Sequence, residues 1–169
     1  MRHQACHLAQ MSISLARVPM GHPEMQSFVS QLSHVNGLAD CAPGFVWRLT
    51  TEEGNSTGVR GFENPLIYLN MSLWESIDAL FDFVYKSPHV VPFRDRRQWF
   101  EPMDGPATVL WWVPQGHLPT VREGRERLEL LARVGPTVDG FDFRHRFPAP
   151  GATEPTSPVS ASIAGEMGK

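Results

Sequence analysis

From Leu8 to Val18 apolar and polar side chains alternate: Ala9, Met11, Ile13 and Leu15 fall on one side, Gln10, Ser12 and Ser14 on the other. Wound into a helix, such a period would scatter both sets around the axis, whereas a strand sorts them onto opposite faces. The segment therefore reads as a half-buried strand, and the chain must build a sheet beside it. The polar face carries a carboxamide and hydroxyls but no charge. Such a face suits the lining of a wet cavity or a subunit contact as well as bulk solvent.

The rest of the chain supplies that sheet and its cover. Gly21-His22-Pro23 opens a helix, with proline where its missing N–H costs nothing, and Met25, Phe28, Val29, Leu32, Val35 and Ala39 follow at helical spacing. Phe45, Trp47 and Leu49 alternate as a second strand, and 51–64 is a glycine-rich loop. Pro65 to Met71 reads as a third strand. Ser72 with Glu75 forms a capping box for a second helix with its stripe at Leu73, Ile77, Leu80, Phe81 and Val84. Ser87-Pro88 reads as a fresh helix start, which carries His89 and the arginines onto a resumed helix.

Ala107 to Val113 is the most apolar strand and is expected at the centre of the sheet. Thr120 with Glu123 caps a third helix that ends at Gly135-Pro136, and Phe141, Phe143, His145 and Phe147 share one face of a last strand. The predicted fold is α+β: a ferredoxin-like βαββαβ domain with an extra C-terminal helix and strand, spanning 8–147. Its two helices cover one sheet face and leave the other open for a partner or ligand. The tail 148–169, rich in Gly, Ala, Pro, Ser and Thr, is expected to be disordered.

Composition excludes several classes. A chain of 169 residues is long enough to bury one core, and a net charge of -3 gives no footprint for nucleic acid or an anionic membrane. The two cysteines, Cys6 and Cys41, lack metal or redox spacing, so a cytoplasmic setting is expected. No nucleotide-binding, nucleophile-elbow or zinc-protease motif occurs, and no metal site is expected.

Four motifs carry a resemblance: PGFVWRL (43–49), NxSxWES (70–76), RRxWFE (96–101) and LWWVPxGHxPT (110–120). With these the chain, from about Leu8 to Phe147, resembles a bacterial family of uncharacterised domains, domain of unknown function 3291. At fold level that family is similar to the dimeric α/β-barrel superfamily, which includes antibiotic-biosynthesis-type and haem-degrading monooxygenases, chlorite dismutases and aldoxime dehydratases. The resemblance implies a homodimer with a hydrophobic pocket. Haem-using relatives place an axial histidine in or beside the second helix after a tryptophan-bearing segment, an arrangement similar to that of Trp74 and His89.

His89, beside apolar surface, is the candidate base or iron ligand. Arg97 falls on the helical stripe of Val90, Phe93 and Phe100 and is expected to point inward, where it would meet a carboxylate or an anionic ligand. Trp47, Arg48, Trp74, Phe93, Arg94, Trp111 and Trp112 are the candidate ligand contacts, with Trp111 and Trp112 on opposite faces of their strand. His145 fits structural use, and His117, in a loop, fits a pocket mouth and structural use equally well. The expectation is a small-molecule enzyme, monooxygenase-like or a cyclase or isomerase, acting on an apolar or aromatic substrate between sheet and helices. It needs no cofactor. The alternatives are a haem enzyme with His89 as axial ligand and a non-catalytic dimeric module that binds a small hydrophobic ligand.

Overall fold

A computed structural model describes residues 5–87 and 95–152. The elements are β1 (Cys6–Ala16), α1 (Gln26–Asp40), β2 (Phe45–Arg48), β3 (Ile67–Trp74), α2 (Ile77–Lys86), β4 (Phe100–Glu101), β5 (Thr108–Pro114) and α3 (Val121–Val134). Short 3₁₀ turns lie at Pro23–Met25 and Arg96–Gln98. The fold is thus mixed α+β, an antiparallel sheet with three helices among the described residues. None of these helices is long and apolar enough to cross a membrane.

The alternating strand β1 is the middle of the sheet. It pairs antiparallel with β3 on one side and with β5 on the other, and its far end pairs with β4. β2 adds to the outer edge of β3. The apolar β5 flanks the centre instead of occupying it. Its outer edge is covered by the C-terminal segment, where Leu110 and Phe141 exchange backbone hydrogen bonds of 2.8 and 2.9 Å. That cover explains how a non-central strand can be so apolar.

The odd-numbered residues of the three long strands face one way. Ala9, Met11, Ile13, Leu69, Met71, Leu73, Val109, Trp111 and Val113 are buried there with Leu128 and Leu131 of α3. This is the face expected to be open, and the chain covers it itself: α3 and the 51–66 loop, through Val59 and Phe62, close it. Gly124 allows the close approach. A Cβ on it would meet Met11 Sδ at 2.7 Å and Met71 Sδ at 3.0 Å. Gly61 fits the loop beneath α3 in the same way, with Val121 at 2.5 Å from where its Cβ would be.

Even-numbered residues face α1 and α2. At one end Leu8, Trp74 and Leu110 pack with Leu80 of α2 and Phe141, and at the other Ala16 and Tyr68 pack with Met25, Trp99 and Phe100. Between the two apolar clusters lies a row of polar side chains.

Local chemistry corrects two sequence expectations. β3 runs on to Trp74, so Ser72 is a buried sheet residue and the cap of α2 is Ser76, whose hydroxyl accepts from the Ala79 N–H at 3.1 Å. The hydroxyl of Ser87 donates back to the Phe83 carbonyl, closing α2, and a helix resuming from there lies outside the described residues. The expected last strand does not form beyond the bridge at Phe141. The Asp142 carboxylate accepts from the N–H groups of Arg144 and His145 at 2.9 and 2.8 Å, and that local turn competes with sheet pairing. Other signals hold: Thr120 caps α3 through the Glu123 N–H at 3.1 Å, and the helix stops at Gly135 with φ 79°.

Glu123 ties α3 to the sheet. Its carboxylate accepts from the Trp111 indole at 2.9 Å and pairs with His117 Nε2 at 2.8 Å. Burial pushes its pKa up, but the bonds from His117 and Trp111 outweigh that and hold it below the usual carboxylate value.

Two outcomes are expected. Gly124→Val should destabilise the fold by roughly 1–3 kcal/mol through overpacking against the methionines. Gly37→Ala, on a helix position with open space around it, should stabilise it by about 0.5–1 kcal/mol. Denaturant titration decides, and equal stabilities for the two variants would contradict the packing described. Because the Glu123 pKa is lower folded than unfolded, its contribution is present above the unfolded value, about 4.3, and is lost as pH falls through the lowered folded value. Melting curves of Glu123→Gln should therefore fall off less on acidification than those of the natural protein.

Candidate functional site

The structure scatters the residues expected to act together. His89, Phe93 and Arg94 lie outside the described residues, and with them the expected base and axial ligand. Arg97 is exposed, not inward: Arg96–Gln98 is a 3₁₀ turn, so α-helical spacing does not apply, and Trp99 and Phe100 take the buried positions. The Arg97 carbonyl accepts from Arg17 Nε at 3.0 Å. Arg48 lies on the α1 side, where its guanidinium pairs with Asp40 at 2.7 Å and donates to the Gly54 carbonyl at 2.9 Å.

The tryptophans divide between the faces. Trp111 and Trp47 pack on the α3 side. Trp112 and Trp74 lie on the α1/α2 side, where Trp112 Nε1 donates to the Phe147 carbonyl at 2.9 Å. Trp74 is buried, stacks on Phe83 with ring centroids 5.2 Å apart, and meets Phe45 edge-on at 5.4 Å.

What the structure does bring together is the polar row. Cross-strand register sets Gln10 beside Ser72 and Ser12 between Asn70 and Thr108, all on the face toward α1 and α2. Gln10 and Ser72 are buried, Ser12, Ser14 and Thr108 are half-buried, and Asn70 is exposed. Sequence alternation showed the β1 half of this row. The β3 half was concealed by the reading of Ser72 as a helix cap.

The direction of each hydrogen bond follows from the inventory of donors. The Gln10 amide donates to Asn70 Oδ1 at 2.7 Å and to Ser72 Oγ at 3.0 Å, and its carbonyl accepts from the Ser12 hydroxyl at 3.0 Å. The Ser12 proton is thereby committed, so in the 2.8 Å contact with Thr108 it is Thr108 that donates. Ser72 Oγ also accepts from the Trp74 indole at 2.8 Å. With both lone pairs engaged, the role left to the Ser72 hydroxyl is donation. Asn70 is held through its oxygen, which turns its amide N–H groups outward. Around Asn70 and Ser72 the row therefore offers donors.

Arg96 adds a cation two residues further along the sheet. Its Nη2 donates to Ser14 Oγ at 3.1 Å, and its guanidinium lies 5.7 Å from the centre of the Phe100 ring. The residue as a whole is exposed, yet desolvation of the guanidinium against the sheet lowers its pKa. An arginine held by these contacts stays protonated. Among the described residues no three His, Cys, Asp or Glu side chains gather into a metal site. What the row can do is hold an oxyanion or a polarised carbonyl between apolar clusters. A groove of about 620 Å³ between the end of α1 and α2, floored in part by Phe83, lies to one side.

Comparison with solved structures gives modest likenesses. SnoaB, a cofactor-independent oxygenase from Streptomyces nogalater, superposes with a TM-score of 0.44 at 14% identity over 70% of this chain and 100% of its own. PA3566 from Pseudomonas aeruginosa gives 0.43 at 13% identity over 67% and 97%. NE2512, a protein of unknown function from Nitrosomonas europaea, gives 0.43 at 8% identity over 70% and 97%. Likeness of this degree assigns no activity. No curated protein is significantly similar in sequence. The family described as a domain of unknown function, DUF3291, matches residues 7–157, nearly the whole of the described fold, and the protein belongs to that family.

Proposed function

We propose that the protein is a small-molecule enzyme, monooxygenase-like or a cyclase or isomerase, whose apolar or aromatic substrate lies between the sheet and the helices α1 and α2. One observation carries this reading: a hydrogen-bonded polar row, donor-rich at Asn70 and Ser72, set between two apolar clusters of the same sheet face. A core needs no such row, because burying amides and hydroxyls gains less than burying hydrocarbon. A substrate with aromatic rings and an acidic hydroxyl matches it. The rings meet the apolar side chains and the oxygen meets Asn70, Ser72 and, further along, Arg96.

The chemistry follows from preferential binding of the anion. Donors that hold the oxyanion more tightly than the neutral hydroxyl lower the substrate's own pKa, so water can take the proton. The electron-rich anion is then the reductant of O₂ without a cofactor: one oxygen atom enters the ring and the other leaves as water. For 1-naphthol the balance is C10H8O + O₂ → C10H6O2 + H₂O. A cyclase or isomerase would use the same oxyanion contacts without oxygen.

Two finer points belong to this proposal. The strand order β2-β3-β1-β5 with antiparallel neighbours supports the ferredoxin-like βαββαβ split. The homodimer implied by family resemblance would need a surface other than the face that α3 covers.

Oxygen uptake and product mass with 1-naphthol test the reading, and Asn70→Asp tests its site. That change keeps the oxygen that accepts from Gln10 but replaces the outward N–H donors with a negative charge. The expected result is a roughly 10²–10³-fold drop in kcat/KM with little change in melting temperature. Turnover that survives in Asn70→Asp, or no uptake and no new product from the natural protein, would sink the proposal.

A further inference from the structure

We propose that the substrate's ring system enters through the groove between α1 and α2 and takes the place of the Phe83 ring against Trp74, so that Phe83 sets the size of ring accepted. This rests on the function proposed above and adds a contact region outside the polar row. The groove has a volume of about 620 Å³, within the ordinary range for a site that takes a small organic molecule. Leu38, Ala42, Ala79 and Phe83 make its apolar walls, while Glu75 and the Asp82–Lys86 ion pair of 2.7 Å are its charged members. A flat, uncharged ring body fits these walls better than a peptide or a polyanion does.

The groove and the row are joined by consecutive contacts. Phe83 lines the groove and stacks on Trp74 at 5.2 Å and 28° between planes. Trp74 donates to Ser72 at 2.8 Å, and Ser72 accepts from Gln10 at 3.0 Å. A ring that replaced Phe83 in this stack would bring a hydroxyl substituent toward Ser72 and Asn70. Among the groove walls, Ala79 cannot yield, because its Cβ lies 2.6 Å from where a Cβ on Gly44 would be. Phe83 is half-buried, and side-chain rotation is the ordinary way for such a ring to leave its stack.

Cys41 supplies the test, since its exposed thiol lines the groove while Cys6 lies on β1. The probe is 1-hydroxypyrene, and the readout is alkylation by N-phenylmaleimide, resolved for each cysteine by peptide mass. Hydroxypyrene should slow the Cys41 reaction fivefold or more and leave the Cys6 rate unchanged. Phe83→Leu should tighten hydroxypyrene binding severalfold more than it tightens 1-naphthol binding, both read by tryptophan fluorescence. Equal Cys41 rates with and without hydroxypyrene, in protein that turns over 1-naphthol, overturn the groove and leave the reaction standing. Protection of Cys41 without turnover of either phenol supports the groove and removes the reaction. Neither protection nor turnover overturns both, and an unchanged size preference in Phe83→Leu overturns the role of that residue.

Discussion

Everything in this fold depends on β1 being covered on both faces by material of opposite character. Its odd residues need hydrocarbon and receive it from α3, packed so closely at Gly124 that no side chain fits between helix and methionines. Its even residues carry amide and hydroxyl groups, which cost free energy when buried unless every bond is met. Gln10 meets that condition with bonds to Asn70, Ser72 and Ser12, and so fastens β1 to β3 through side chains as well as backbone. Shifting β1 by one residue would exchange the two faces and break both arrangements.

The same row gives the site its chemical sign. Because Gln10 donates on one side and accepts on the other, it imposes a direction on its neighbours, and the ends near Asn70 and Ser72 are left as donors. Arg96 strengthens that sign from the far end of the sheet. The helices provide the surroundings rather than the reacting groups. α1 and α2 contribute apolar clusters at the two ends and leave a groove between them.

Much of the fold was legible because local chemistry and tertiary structure agree there. The alternation of β1, the proline at the start of the first helix, the Thr120 cap and the Gly135 stop act within a few residues of themselves. The misread segments are those where two local signals compete. Ser72 and Ser76 both offer a capping oxygen, and the sheet claimed Ser72 because its hydroxyl has two buried donors to satisfy. The phenylalanine alternation after Phe141 suggested a strand, but Asp142 captures the backbone first. Arg97 was placed by helical spacing in a stretch that forms a 3₁₀ turn.

The sequence by itself determined the α+β class, the family and the polar face of β1, because these are written in periodicity and in tryptophan-rich motifs that need no partner to be recognised. Only the tertiary structure decided that the opposite sheet face is closed by α3, that Asn70 and Ser72 complete the row begun by Gln10, and that Arg96 reaches it. The physical reason is separation along the chain. Gln10 and Ser72 are a hydrogen bond apart in space but 62 residues apart in sequence, and nothing local to either one announces the other.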